Sequence, residues 1–201
     1  MKSFQTQSRR LFVCSLAVTF AGFVTFAVSA NAADKPIGVG DQAPDFELPI
    51  QGEDEFISLS ELTEDGPVVV VLRGFPGYQC GICNRQVGAM VNRAKALKSA
   101  LGGEANRVVL IYPGEETGSA LEGRAKQFVG SRRLPEPLVM VRDPGMKMVN
   151  EWGLRWDARN ETAYPSAYVI GPGRRVKWSK VSKSHGGRAS VEDIVQAVKK
   201  Q

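Results

Sequence analysis

Histidine is nearly missing from this chain: His185 is the only one in 201 residues, and cysteine occurs just three times. A zinc site needs four ligands, so one histidine and one C-x-x-C are too few to build it. Three cysteines are equally too few for a disulfide-stapled secreted scaffold. There is no internal repeat and no low-complexity tract. Runs of one charge are missing as well, since the basic pairs at 132–133, 174–175 and 199–200 are scattered as on a solvated surface.

One long hydrophobic run is present. Lys2, Arg9 and Arg10 precede an apolar stretch from Leu11 to about Ala30, followed by the small residues of AVSANAADKP. Basic, apolar and small-residue regions in that order make a secretory signal, with Ala30-Asn31-Ala32 fitting the small-x-small rule. The expected leader is therefore residues 1–33, cut near Ala32, leaving 34–201 as the working domain in the periplasm or outside the cell. An uncleaved run of this length would instead anchor the chain in a membrane. No cysteine stands at a lipoprotein-like junction, because Cys14 lies inside the run. Without the leader, 23 Lys and Arg face 21 Asp and Glu. A formal +2 gives no reason to expect a nucleic-acid partner.

The remaining 168 or so residues suit one domain with a sizeable core. DFELPIQ (45–51) and EFISL (55–59) read as two short strands around a turn at 52–54, and 60–65 as a helical turn. PVVVVLR (67–73) is apolar on both faces, as a central covered strand should be. Apolar residues recur at helical spacing from Cys80 to Leu101, and Gly102-Gly103 ends that helix. Strands follow at 107–112 and 137–142, helices at 119–129 and 144–152. A hairpin over 167–170 and 175–178 turns at Gly171-Pro172-Gly173. Ser190 and Asp193 form a capping box for a last helix. The order predicts an α/β fold: a central mixed sheet with helices on both faces and an N-terminal β-hairpin.

With Cys14 removed, only Cys80 and Cys83 remain, in GFPGYQCGICNRQ, where a central strand hands over to a helix. Free N–H groups and the positive helix end favour a thiolate there, the form that attacks disulfides and peroxides. Arg73 at the strand end and Arg85 in the first helical turns are candidate sources of added positive potential. A structural disulfide closing so short a loop would add little stability. His185, in the polar loop SKSHGGR, is the third ligand that a copper-type site would use. Pro165, just before a strand, is either a cis proline facing the site or a plain strand-initiating proline.

GDQAPDFELP (40–49), PVVVVLRGFPGYQCGICNRQ, RDPGMKMVNEWGL (142–154) and YPSAYVIGPGRRV together resemble the thioredoxin-like superfamily. More narrowly they resemble its alkyl hydroperoxide reductase/thiol-specific antioxidant branch, the peroxiredoxin-like redoxins. The resemblance covers about residues 38–200 and implies a thioredoxin-like fold, no cofactor and no metal. In the peroxiredoxin spacing Pro76 takes the proline place and Cys83 the peroxidatic place, with Cys80 where a hydroxyl residue is usual. The family's thiolate-stabilising arginine would fall at Pro165, which resembles instead the cis proline of thioredoxins. Lacking that arginine, the chain is expected to turn over peroxide slowly.

The resemblance thus implies a thiol-dependent oxidoreductase with a Cys80/Cys83 dithiol–disulfide couple, reducing peroxides with an external thiol reductant. The alternatives are a secreted thiol-disulfide reductase acting on protein disulfides, or a copper chaperone using Cys80, Cys83 and His185. The peroxiredoxin-like reading makes Cys83 the attacking sulfur and the thioredoxin-like reading makes it Cys80. Pro76, Arg73, Arg85 and Pro165 are the expected supporting residues.

Overall fold

The structure is a computed structural model that describes residues 33–63, 67–103 and 107–200. The expected leader lies outside these residues but for Ala33, as does the end of the 60–65 turn. Strands β1 (Glu47–Pro49) and β2 (Phe56–Ser58) pair antiparallel as the expected hairpin. The short helix α1 (Leu59–Leu62) follows directly, its first turn capped by Ser58 accepting the Glu61 N–H at 3.3 Å.

The main sheet holds β3 (Val68–Val71), β4 (Val108–Gly114), β5 (Leu138–Pro144), β6 (Ser166–Gly171) and β7 (Arg175–Val181). Their order is β5-β4-β3-β6-β7. β3 runs parallel to β4, and β4 to β5, while β6 lies antiparallel to both β3 and β7, so the sheet is mixed as expected. All seven residues of β4 are buried. A strand covered on both faces explains the unbroken apolar run VVLIY.

Helices cover both faces. On one side α2 (Gly81–Asn92), α3 (Ala94–Leu101), α4 (Gly118–Val129) and α6 (Val191–Lys199) deliver Val87, Met90, Leu97, Phe128 and Ile194 to one core. On the other, Phe46, Leu59, Met148, Trp152 and Tyr168 form a second core with α5 (Lys147–Glu151) and the hairpin. Trp152 meets Tyr168 edge-on at 5.1 Å. The capping box at the start of α6 is present, Ser190 and Asp193 each accepting the other's N–H.

One expected helix is two. Residues 80–101 break at Arg93, whose backbone leaves helical geometry (φ −116°, ψ 19°) while its N–H still bonds Ala89 and Met90 carbonyls. The break redirects α3 onto α6, and the Arg93 guanidinium pairs with Glu192 at the start of α6. The apolar periodicity runs across Arg93 unchanged, so only tertiary packing marks this joint.

Asp143, at the end of β5, is fully buried and accepts the N–H groups of Met148 and Val149 at 3.1 and 2.9 Å. Burial outweighs those two bonds and raises its pKa to about 6. A carboxyl raised above its unfolded value of roughly 3.9 stabilises the fold below that value, and the contribution is lost as pH rises through about 6. Thermal unfolding between pH 4 and 7 should show Asp143→Asn removing a downward slope with pH. An identical slope in both proteins would contradict this.

Candidate active site

β3 ends by feeding Leu72 and Arg73 into a tight turn at Gly74, where φ is +78°. A Cβ at residue 74 would lie 1.9 Å from the Pro113 carbonyl oxygen of β4, so no larger residue fits. The Phe75 N–H bonds that same carbonyl at 3.0 Å and fixes the start of the loop. Pro76 is half-buried in this loop and borders a cavity of about 400 Å³ with Glu115, Arg155 and Glu161. Six residues after Gly74, the chain enters α2 at Cys80.

Cys80 is the N-cap of α2, the place where a side chain accepts a free backbone N–H. Its Sγ accepts the Cys83 N–H at 3.2 Å. Both thiols are free; Cys80 is 3% exposed and Cys83 is fully buried. The Cys83 thiol donates to the Cys80 sulfur, and this bond is the largest reason that the Cys80 pKa falls to about 5. Burial opposes the shift, while the Cys83 N–H and the nearby Arg188 charge reinforce it, and Arg73 adds least. The same bond, with burial, pushes Cys83 upward. The pair therefore favours negative charge at Cys80 and the proton at Cys83.

Sequence reasoning missed Arg188. Its Nη2 donates to Cys80 Sγ at 3.9 Å and its Nη1 to Cys83 Sγ at 3.5 Å. Nη1 is also held by Gln86 Oε1 at 2.7 Å, and Nε by the His185 carbonyl at 3.0 Å. Arg188 shares the loop SKSHGGR with His185, but no local pattern says that the loop folds back over α2.

The other expected residues are spread around the pair. Arg73 is buried and bonds Glu161, the Tyr78 hydroxyl at 2.7 Å and the Asn160 carbonyl, while its side chain also reaches Cys80. Burial alone would weaken its charge, but the bonds to Glu161 and Tyr78 prevail and its pKa rises. Arg85 is exposed on α2 and makes no hydrogen bond or ion pair among the described residues. Its expected electrostatic place beside the sulfurs is taken by Arg188, because residue 85 faces outward on the helix. Pro165 is buried, but Tyr164–Pro165 is trans; the cis bond among the described residues is Glu136–Pro137. Pro165 leads straight into β6, and its carbonyl accepts the Ser182 N–H at 2.9 Å, so it acts as a strand-initiating proline.

His185 does not join the cysteines. Its Nε2 lies 2.9 Å from Glu161 Oε1 and its ring packs 5.1 Å from Trp156. No three Cys, His, Asp or Glu side chains converge on a metal-sized site among the described residues. Behind the pair, the buried Tyr112 hydroxyl bonds Gln79 Oε1 at 2.9 Å. Burial raises the Tyr112 pKa, as does its nearness to both cysteines. On the open side, Ile82, Gln86, Met90, Arg188, Ala189 and Val191 line a groove of about 500 Å³.

A Cys80 pKa near 5 makes a direct prediction. Alkylation of the reduced protein by iodoacetamide should reach half its limiting rate near pH 5, far below the ~8.5 of a free thiol. A midpoint near that of a free thiol would contradict the assignment. The sign also fixes stability: a thiol lowered on folding stabilises the reduced protein above its unfolded pKa, and that gain is lost as pH falls through about 5.

A profile of the AhpC/TSA family matches residues 39–179. No curated protein sequence matches the chain significantly. Among solved structures, a peroxiredoxin-like protein from Aquifex aeolicus superposes with a TM-score of 0.62 at 13% identity, covering 82% of this chain and 88% of that one. Peroxidoxin BcpB from Mycobacterium tuberculosis gives 0.61 at 18% identity, covering 82% and 97%. AhpC from the same organism gives 0.58 at 11%, covering 81% and 92%. At such identities these likenesses establish a thioredoxin-like, peroxiredoxin-type fold. With the profile match over most of the chain, they make it a member of the AhpC/TSA family, a thiol-dependent peroxidase or oxidoreductase.

Proposed function

We propose that the chain is an exported peroxidase that works through a Cys80/Cys83 dithiol–disulfide couple, with Cys80 as the attacking sulfur. The observation that carries this is the Cys80 sulfur at the N-terminus of α2, accepting the Cys83 N–H at 3.2 Å with Arg188 alongside. The Cys80 thiolate gives two electrons to the peroxide: an S–O bond forms, the O–O bond breaks and the alcohol or water leaves with a proton. The resulting Cys80 sulfenic acid is then attacked by Cys83, forming the S–S bond and releasing water. An external thiol reductant returns both cysteines to the thiol state by exchange.

The export step rests on residues 1–33, with cleavage near Ala32. Once cleaved, the chain works in the periplasm or outside the cell; a retained leader would tie the same domain to the membrane. The family's peroxidatic spacing favours Cys83, but a buried thiol that holds its proton is the poorer nucleophile. The Cys80 thiolate is equally able to attack a protein disulfide, which makes disulfide reduction the second reading.

The test is to mix the reduced protein with stoichiometric hydrogen peroxide in a stopped-flow instrument and map the product by mass spectrometry. The expected product has lost two hydrogens and carries a Cys80–Cys83 bond, formed faster than the protein reduces an insulin disulfide. Two free thiols surviving excess peroxide would overturn the peroxidase reading. N-terminal sequencing of the exported protein checks the cut near Ala32.

A further inference from the structure

We propose that the groove beside the cysteines is the docking site of the reductant, a small thiol whose aliphatic body ends in a carboxylate held by Arg85. This rests on the Cys80/Cys83 couple proposed above and names the class of thiol that restores it.

At about 500 Å³ the groove has the size of a small-molecule site. Ile82, Met90, Ala189 and Val191 give it an apolar floor between α2 and the start of α6. Arg188 lines it where it meets the sulfurs, reaching Cys80 at 3.9 Å and Cys83 at 3.5 Å. Arg85 lines it too, exposed and without a hydrogen bond or ion pair among the described residues. Cys80 and Arg85 are five residues apart, roughly 7.5 Å along the helix axis. A ligand with its sulfur at Cys80 therefore needs an apolar body of several carbons before an anion meets Arg85. The floor takes that body out of water, and an unpaired guanidinium takes a carboxylate in a bidentate pair.

The charge balance selects the reductant, rather than the oxidant, as the occupant. Three cations and one anion line the groove; Arg93 pairs with Glu192, which leaves Arg85 and Arg188. In the reduced protein the negative charge favoured at Cys80 offsets Arg188. Once the disulfide forms, that charge is gone, and both guanidiniums face the groove with no acidic partner among the described residues. An anion is then drawn most strongly to the oxidised protein, the form that a reductant must meet. It is held least by the reduced protein, from which the spent reductant must leave.

The exchange is balanced within the site. Cys83 is fully buried and Cys80 is at the surface of the pair, so the reductant thiolate attacks Cys80 Sγ. A mixed S–S bond forms and the Cys80–Cys83 bond breaks. Cys83 leaves with the electron pair and takes up the proton that the attacking thiol gave up. A second thiol, on the same molecule or another, then attacks the reductant sulfur of the mixed disulfide. Cys80 leaves as a thiolate, and the reductant departs as its own disulfide.

The test uses the full-length protein oxidised with diamide, so that no peroxide enters. Dihydrolipoate and dihydrolipoamide carry the same dithiol on the same chain and differ in the charge at its end. The rate at which each frees the protein thiols is divided by its rate with hydroxyethyl disulfide, and dithiothreitol serves as the dithiol without a chain. Dihydrolipoate should exceed dihydrolipoamide about 5-fold, the worth of one exposed charge pair, and the preference should fade with added salt. Arg85→Ala should lose most of the preference and Arg85→Glu should reverse it, whereas Arg133→Ala, exposed and outside the groove, should keep it. Ala89→Trp, on the exposed side of α2, should fill the groove and slow both lipoyl thiols while sparing dithiothreitol. Equal rates for the two lipoyl thiols in the wild type, or a preference unchanged in Arg85→Ala, would overturn the proposal. A protein that forms no Cys80–Cys83 disulfide with diamide defeats this proposal and the couple together. One that is inert to peroxide yet reduced in this pattern defeats the peroxidase reading alone.

Discussion

Cys80→Ser is expected to reduce peroxide consumption to the uncatalysed background, whereas Cys83→Ser retains one rapid oxidation per chain and then stops. The asymmetry follows from the N-cap: only Cys80 has its sulfur aimed at the free N–H groups of α2, with the Cys83 N–H 3.2 Å away. Without Cys83 the sulfenic acid at Cys80 has no thiol within its own helical turn to condense with. It should persist, react with dimedone, and pass to the irreversible sulfinic acid under excess peroxide. Stopped-flow traces of the two variants with a dimedone assay read this directly. The opposite pattern, activity kept in Cys80→Ser and lost in Cys83→Ser, would move the attack to Cys83 and restore the family's spacing as the guide. Removing Cys83 also takes away the largest cause of the low Cys80 pKa, so the single oxidation of Cys83→Ser should need a higher pH.

Glu161→Ala is expected to cost about 3–5 kcal/mol, because it leaves the buried Arg73 charge without its counter-ion. The Glu161 side chain is 10% exposed and that of Arg73 is 4% exposed. Glu161 takes two donors of Arg73 and also meets His185. Surface pairs such as Lys98–Glu136 offer a contrast, since both partners are largely solvated and the pair is worth little. For a chain of this size the loss should appear as a fall in Tm of roughly 10 °C. Arg73→Met combined with Glu161→Ala should recover much of it, since no charge is then left buried. A Glu161→Ala protein melting within a degree or two of wild type would show that Arg73 finds water or another partner.

The sheet was legible in the residues because its central strands have no solvent face. PVVVVLR and RVVLIY are β-branched on both sides, and β3 and β4 lie in the middle of the sheet with helices over each face. The capping box of α6 and the turn at 171–173 were legible because their chemistry is local. The joint at Arg93 was not: its cause is α6, a hundred residues away. The site divides the same way. Cys80 at a helix start follows from the strand-to-helix order, a local property. Arg85 attracted notice because it is close in sequence, and it faces away. Arg188 and Glu161 are distant in sequence and arrive through loops whose paths are set by tertiary packing. Pro165 carried a resemblance that its trans bond does not support.

The nearness of Cys80 and Cys83 has a kinetic corollary. Both sulfurs belong to one turn of α2, so in the proposed couple the sulfur that peroxide would oxidise and the thiol that would resolve it travel together on one rigid element. Disulfide closure then depends on neither a collision between chains nor the unravelling of a terminal segment. Its rate should be indifferent to dilution, and should persist when the protein is tethered sparsely to a solid support.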